Sequence, residues 1–240
     1  KLKRLTVAKI LFEKEDGFKK KFKKLLTKRN TSDSTIDKTV EDIIRQVEKK
    51  SDSAVLKLTR NLDKNKVKNF DDLIVNQKEI DTSLDQVDNK VLGSLKMAIR
   101  RVTDYHKRQI PKNEIYKDKH GVLLGGIWNP IESVGLYVPG GTAAYPSSLI
   151  MNAVPALVAG VSRIVITVPA LNGFLNPVIL ACANLLGINE IYKIGGAQAI
   201  ATLALGTKKI QKVDKIVGPG NAYVASAKKK LFGTVGIDMI

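Results

Sequence analysis

The sequence has very few of the residues that build metal centres and disulfides, with one cysteine (Cys182) and two histidines among 240 residues. A single cysteine excludes an internal disulfide and is typical of a reducing compartment. No stretch approaches the roughly 18 uninterrupted apolar residues that a membrane helix needs. Lys9 and Glu13 interrupt the apolar stretch nearest the N-terminus, which argues against a signal peptide. We therefore expect a cytoplasmic protein.

Acidic residues are also scarce, because 40 Lys and Arg face only 23 Asp and Glu, giving a net charge of +17. The excess is densest in Lys1–Asn30, which resembles a segment that binds nucleic acid or a membrane surface. Most of the basic residues are lysine, which lacks the guanidinium fork that reads base edges. Aromatic residues make up only 5% of the chain, which leaves little for base stacking. We interpret the segment as a solvated basic face, peripheral to the core, and keep nucleic-acid binding as a minor alternative.

Glycine and proline are nearly absent before His120, where only two of 18 glycines and one of eight prolines occur. Both residues mark turns, so residues 1–120 are predicted to form long helices, and residues 121–240 many short elements. Helical spacing of apolar residues predicts helices that begin at Ser34 and at Ser51.

A third helix is predicted from the apolar positions between Val87 and Tyr105. The pattern Ser83-x-x-Gln86 before it is typical of a capping box, and Pro111 is expected to end the helix. These three helices make up the predicted helical N-terminal region.

After residue 120, short apolar runs alternate with segments of helical pattern. The runs are Val134–Val138, Ile164–Val168, Ile191–Ile194 and Val213–Val217, and the helices lie near 147–159, 176–186, 197–205 and 221–231. Apolar runs of strand length without polar alternation are typical of strands buried on both faces. The sequence thus predicts an α/β fold, a doubly wound parallel sheet preceded by the helical N-terminal region.

Three of the four predicted strands run into glycine loops, which contain Gly140-Gly141, Gly195-Gly196 and Gly218-Pro219-Gly220. In a parallel sheet these loops lie at the carboxyl edge, where ligands bind, and helix N-termini beside them favour anionic groups. The sequence lacks the G-x-G-x-x-G and G-x-x-x-x-G-K-[ST] patterns of common nucleotide sites. The loops alone therefore predict a small-molecule or nucleotide cleft of irregular type.

Three long stretches resemble consecutive signatures of the histidinol dehydrogenase family. They are ESVGLYVPGGTAAYPSSLIMNAVPALVAGVSRIV, IYKIGGAQAIATLALGT and KVDKIVGPGNAYVASAKKKLFGTVGIDMI. The resemblance implies oxidation of L-histidinol to L-histidine through the aldehyde, with two NAD in succession and a zinc ion that holds the substrate. It also implies a homodimer and an incomplete Rossmann-like NAD-binding domain at residues 121–240, which agrees with the missing nucleotide patterns.

The same resemblance places the NAD contacts of the family on Tyr137, Gln198 and Asn221. The residues themselves leave other roles open. Tyr137 ends a strand and is also suited to packing, and Gln198 lies in a first helical turn where a solvent-facing amide is usual. Asn221 follows a glycine loop and is well placed to cap a helix N-terminus.

The resemblance assigns no catalytic or metal-ligating residue to this chain, because the family's zinc ligands and Glu–His pair belong beyond Ile240. His106 and His120 have no Cys, Asp or second His at metal-ligand spacing and are interpreted as structural or solvated, and Cys182 is interpreted as a small core residue. The chain starts at Lys1 and stops after an apolar stretch, so we expect the N-terminal half of a longer protein, inactive alone. A non-catalytic remnant, or a nucleotide-binding module of the same fold, is the alternative.

Overall fold

The structure, a computed structural model, describes residues 10–30, 34–140 and 144–239. Within these ranges the helices are α1 (Phe18–Asn30), α2 (Ser34–Leu62), α3 (Gln77–Asp81), α4 (Asn89–Lys107), α5 (Pro146–Ala159), α6 (Pro177–Leu185), α7 (Gly196–Leu205) and α8 (Ala222–Leu231). The strands are β1 (Glu114–Lys117), β2 (Leu123–Gly126), β3 (Ser133–Tyr137), β4 (Arg163–Thr167), β5 (Glu190–Tyr192), β6 (Lys215–Val217) and β7 (Gly236–Ile237). None of the described helices is both long and apolar enough to cross a membrane.

Strands β3 to β7 form one parallel sheet in the order β5-β4-β3-β6-β7. From the central strand β3 the chain moves outward through β4 and β5, and then crosses back to place β6 on the other side of β3. The order therefore reverses between β3 and β6, which is the usual position of a ligand crevice in such sheets. The predicted α/β class is confirmed, as are all four predicted strands, with bounds that differ by one or two residues.

Helices cover both faces of the sheet. One face of β3 packs into the core shared with α4, α5 and α6. It includes Val134 and Leu136 of the strand, and Val138 directly after it. Tyr137 points the other way, into the core shared with α2, α7 and α8. This alternation is the period of two expected of a strand, and it places the Tyr137 side chain on the face that α2, α7 and α8 cover.

Helix α2 contains the predicted break between two helical segments. Ser51 lies inside it with a φ of +50° and a ψ of −133°, so the axis kinks at the serine predicted to begin the second segment. The second segment buries Ala54, Val55 and Leu58 and ends at Leu62. The next residue, Asp63, is thereby carried to the carboxyl edge of the sheet.

The predicted capping box before α4 is wrong. The Ser83 hydroxyl donates to the carbonyl oxygen of Ile80 at 2.5 Å, and the residues after it form a short 3-10 turn. Helix α4 begins at Asn89, after Asp88, whose carboxylate accepts from the Lys90 amide. A serine and a glutamine three residues apart also suit a 3-10 turn, so the pattern alone did not locate the helix start. The helix ends at Lys107, ahead of Pro111.

The hairpin β1–β2 was not predicted from the sequence. Its strands pair antiparallel with each other, and all eight of their residues are exposed. The predicted boundary between a helical region (1–120) and a Rossmann-like region (121–240) falls in the turn of this hairpin. That division into two regions stays a prediction.

Deletion of Lys1–Asn30 is expected to leave the melting temperature of the remaining chain nearly unchanged. Residues 1–9 lie outside the described residues, while Phe22, Leu25 and Leu26 of α1 are each more than 40% exposed. Lysine-rich segments are not buried unpaired, so this segment contributes little to the core. Thermal unfolding followed by circular dichroism checks the prediction, and loss of folding in the truncated chain would contradict it.

Candidate functional site

A cleft of about 390 Å³ opens at the carboxyl edge of the parallel sheet. Its walls come from both ends of α2 and the residue after it, the end of β3, the segments after β3 and β4, and the starts of α7 and α8. The loops with Gly140, Gly195-Gly196 and Gly218-Pro219-Gly220 follow β3, β5 and β6, which are parallel, so all three lie at this edge. The predicted convergence is confirmed for these glycines, whereas Gly141 lies outside the described residues.

Tyr137, Gln198 and Asn221 all line this one cleft. Tyr137 ends the central strand and is 4% exposed, and its hydroxyl oxygen accepts from the Gly196 amide at 3.2 Å. Burial raises the pKa of the Tyr137 phenol; the Gly196 amide lowers it and the charge of Asp63 raises it further. The three positions that the resemblance assigns to NAD are therefore neighbours in space, although 84 residues separate the first from the last.

Asn221 caps the N-terminus of α8, as its position after a glycine loop predicts. Its side-chain oxygen accepts from the amides of Tyr223 and Val224 at 3.0 and 3.1 Å. These amides are thereby occupied. Helix α7 differs, because its N-cap residue, Gly195, has no side chain to cap it, and in its first turn the Gly196 amide donates to the Tyr137 hydroxyl. The first turn of α7 lines the cleft, and the amides at a helix N-terminus attract anionic groups.

Gln198 is fully buried, so the expectation of a solvent-facing amide is wrong. Its Nε2 lies 3.5 Å from Oδ2 of Asp63, and its Oε1 is buried with no hydrogen-bond partner among the described residues. An ionised carboxylate can only accept hydrogen bonds, which places Nε2 toward Asp63 and leaves Oε1 as the free acceptor. A buried acceptor without a donor is unfavourable by about 1–3 kcal/mol unless a ligand or water satisfies it.

Asp63 is the member of the site that sequence reasoning missed. Its Oδ2 accepts from the Gly195 amide at 3.0 Å, which fixes the loop before α7. Burial raises the pKa of the Asp63 carboxyl from 3.8 to about 6, against the lowering effect of the bonds from Gly195 and Gln198. The only sequence signal was an acidic residue just after the last apolar position of a helix, and nothing local linked it to a loop 132 residues away.

A buried lysine holds the loop after β6. Lys228 is 3% exposed, and its Nζ donates to the Gly218 carbonyl oxygen and to Oδ1 of Asp238, each at 2.6 Å. Oδ2 of Asp238 in turn accepts from the Gly218 amide at 2.8 Å. Burial opposes ionisation of Asp238, but the bonds from Lys228, Gly218 and Met239 outweigh it and lower its pKa. The ion pair therefore fixes the backbone that leads into Asn221.

The other sequence candidates lie apart from the cleft. His106 pairs through Nδ1 with Oε1 of Gln109 at 2.6 Å, and His120 lies in the turn of the β1–β2 hairpin. Cys182 is fully buried in α6, and burial raises the pKa of its thiol to about 12, as suits the predicted core residue. Among the described residues no three His, Cys, Asp or Glu side chains are grouped so as to hold a metal ion.

Comparison with known proteins gives consistent matches. The chain is 61% identical over 168 residues to histidinol dehydrogenase of Rhizobium meliloti (strain 1021), covering 70% of this chain and 39% of that protein. It is 53% identical over 197 residues to histidinol dehydrogenase of Brucella abortus (strain 2308), covering 82% and 46%. It thus spans less than half the length of these curated relatives.

A solved structure and a family model agree with these relatives. The crystal structure of histidinol dehydrogenase from Elizabethkingia anophelis superposes with a TM-score of 0.80 at 35% identity, covering 84% of this chain and 46% of that one. The family model described as histidinol dehydrogenase matches residues 26–240. The match includes every strand of the sheet and every wall of the cleft. This chain therefore belongs to the histidinol dehydrogenase family.

Proposed function

We propose that this chain supplies the NAD-binding cleft of an enzyme that oxidises L-histidinol to L-histidine in histidine biosynthesis. The single observation that carries the proposal is the convergence of Tyr137, Gln198 and Asn221 in one cleft at the point where the strand order reverses. By family resemblance the whole enzyme uses two NAD and a zinc ion, is a homodimer and is cytoplasmic. These properties belong to the proposal.

The cleft suits an elongated ligand with an anionic centre. Ile43 and Leu171 give it apolar walls, and the first turn of α7 offers a diphosphate its amides other than that of Gly196, which donates to Tyr137. The residues of this chain would bind and orient NAD, which, when bound, accepts a hydride from the substrate alcohol. The Tyr137 hydroxyl and the Asp63 carboxylate fix the Gly195-Gly196 loop, so that α7 starts at a defined place.

Zinc does not fit the residues described here. A catalytic zinc site needs about three His, Cys, Asp or Glu ligands at one point, and the described residues contain no such group. By family resemblance, the zinc ligands and the catalytic base belong to the part of the enzyme beyond Ile240.

The chain alone is expected to bind NAD weakly, to bind no stoichiometric zinc and to show no oxidation of histidinol. Titration calorimetry measures NAD binding in the unmodified chain and in Tyr137→Phe, which loses the hydroxyl that accepts from Gly196 and should bind NAD several-fold more weakly.

Equilibrium dialysis measures zinc binding by the chain alone, and NADH absorbance measures its turnover of histidinol. Tight zinc or turnover by this chain alone would show that the missing groups are wrongly assigned. Absence of NAD binding would favour a remnant that has lost the function.

A further inference from the structure

The two oxygens of the Asp63 carboxylate have different surroundings. Oδ2 accepts from the Gly195 amide and lies near the Gln198 amide. Oδ1 accepts from no donor in the described part of the chain, and Asp63 is one of the residues that line the cleft. One oxygen is thus committed to the fold, whereas the other has no hydrogen-bond donor among the described residues.

The cleft is rich in acceptors and poor in charged donors. Besides Oδ1 of Asp63, the buried Oε1 of Gln198 has no donor within the described ranges. No lysine, arginine or histidine is found among the described residues that line the cleft. A purely anionic ligand would therefore meet an uncompensated carboxylate. Vicinal hydroxyl groups suit these oxygens better, because each hydroxyl donates a hydrogen bond and carries no charge.

We propose that Asp63 is a ligand-binding residue, which anchors the Gly195-Gly196 loop through one carboxylate oxygen and accepts hydrogen bonds from a ribose of the bound dinucleotide through the other. This inference rests on the NAD binding proposed above and adds a residue and a ligand group to it. The Asp63 charge also favours NAD over a dinucleotide with a further phosphate on that ribose. Such a phosphate would lie against a carboxylate that has no cation beside it among the described residues.

If Asp63 binds the ribose, the affinity for NAD should depend on pH in a defined direction. Only the ionised carboxylate presents two acceptors, and burial raises the pKa of Asp63 to about 6. Affinity for NAD should therefore increase as the pH rises from 5 to 7. The other ionisable groups that line the cleft are the phenols of Tyr137, on β3, and Tyr223, on α8. The Tyr137 phenol, whose pKa is raised above 10, stays neutral throughout this range.

The test compares NAD binding by the full 240-residue chain with that of Asp63→Asn, using titration calorimetry at several pH values. The asparagine oxygen can still accept from the Gly195 amide, so the loop stays anchored while the acceptor facing the cleft becomes a donor. We expect about 10- to 100-fold weaker binding at pH 7, the loss of one or two hydrogen bonds to a charged acceptor. We also expect no change in affinity between pH 5 and 7. Asp104→Asn, on α4 at the opposite face of the sheet, removes the same charge and should bind as the unmodified chain does.

The affinity of Asp63→Asn for NAD separates a ligand-binding role of the carboxylate from a structural one. If Asp63→Asn binds NAD equally well or more tightly, the carboxylate only anchors the loop or repels the diphosphate, and the proposal is overturned while NAD binding stands. If the unmodified chain binds no NAD at millimolar concentration, the proposed function fails and this inference fails with it. Should Asp63→Asn not fold, the pH profile of the unmodified chain decides, because affinity that is flat or falling from pH 5 to 7 contradicts an ionised acceptor.

Discussion

Replacement of Lys228 by methionine is expected to destabilise the chain by about 3–5 kcal/mol. Methionine fills a similar volume but cannot donate to the Gly218 carbonyl or to Asp238. The Asp238 carboxylate, 27% exposed, would be left without its cation, and the Gly218 carbonyl without its donor. Urea unfolding measures the change in the free energy of unfolding.

Two further variants isolate the cause. Lys229→Met removes the same charge from the next, exposed position and should change stability by less than about 0.5 kcal/mol. Asp238→Asn, added to Lys228→Met, removes the unpaired charge while its oxygen still accepts from Gly218, so it should recover part of the loss. Equal effects of Lys228→Met and Lys229→Met would contradict a structural role for the buried pair.

The loss of stability in Lys228→Met should depend on pH, because it depends on the charge of Asp238. Its pKa is lower in the folded chain than the ordinary value of 3.8. The stability that it contributes is therefore present above that value and disappears as the pH falls through the folded pKa. The difference in stability between the unmodified chain and Lys228→Met should shrink in the same acidic range.

Gly218→Ala is expected to destabilise the chain by about 3 kcal/mol or more. Gly218 has a φ of +119°, a conformation that an alanine rarely adopts, and its Cβ would lie 2.1 Å from the Tyr137 carbonyl oxygen. Strained backbone conformations and overpacking each amount to about 1–3 kcal/mol. The clash cannot be relieved by rotating a side chain, because the backbone fixes the position of the Cβ and the carbonyl oxygen is itself backbone. Thermal and urea unfolding check the prediction.

Gly93→Ala is the matched control. Gly93 lies inside α4, and a Cβ there would meet no atom within 4 Å. Alanine is the better helix former by about 1 kcal/mol, so this variant should be slightly more stable than the unmodified chain. If both glycine variants had the same stability as the unmodified chain, β3 and the loop after β6 would not approach as closely as described.

The sheet was predictable because its strands are local apolar runs that need no information from elsewhere in the chain. Leu136 and Ile166 are fully buried in strands that the pattern located to within one or two residues. The hairpin β1–β2 escaped prediction because its residues are exposed and follow no alternation of apolar and polar positions. The capping box predicted at Ser83 was wrong for a different reason. A serine followed three residues later by a glutamine is compatible with a 3-10 turn as well as with the start of an α-helix.

The site was predictable in its position but not in its contacts. The glycine loops located the carboxyl edge of the sheet, and the family resemblance supplied Tyr137, Gln198 and Asn221. The role of Asp63 depends on the approach of the end of α2 to the start of α7, which no local pattern encodes. The Lys228–Asp238 pair was missed for a related reason: a lysine within Lys228–Lys230 looks like part of a solvated run until its burial is known.

The place of β6 beside β3 determines the order in which the molecule can assemble. Ser133, at the start of β3, donates hydrogen bonds to Asp214, which is 81 residues later and directly precedes β6. The pairing of β3 with β6 therefore closes a long loop. Strand β4 joins β3 over a much shorter loop, and loop closure becomes less favourable with length. We therefore expect β3–β4–β5 to form an early nucleus and the β3–β6 junction a late one. Pulsed hydrogen exchange during refolding would then protect the amides of β4 before those of β6. On this account the strand pair beside the cleft forms late, and the cleft is completed only in the final stage of folding.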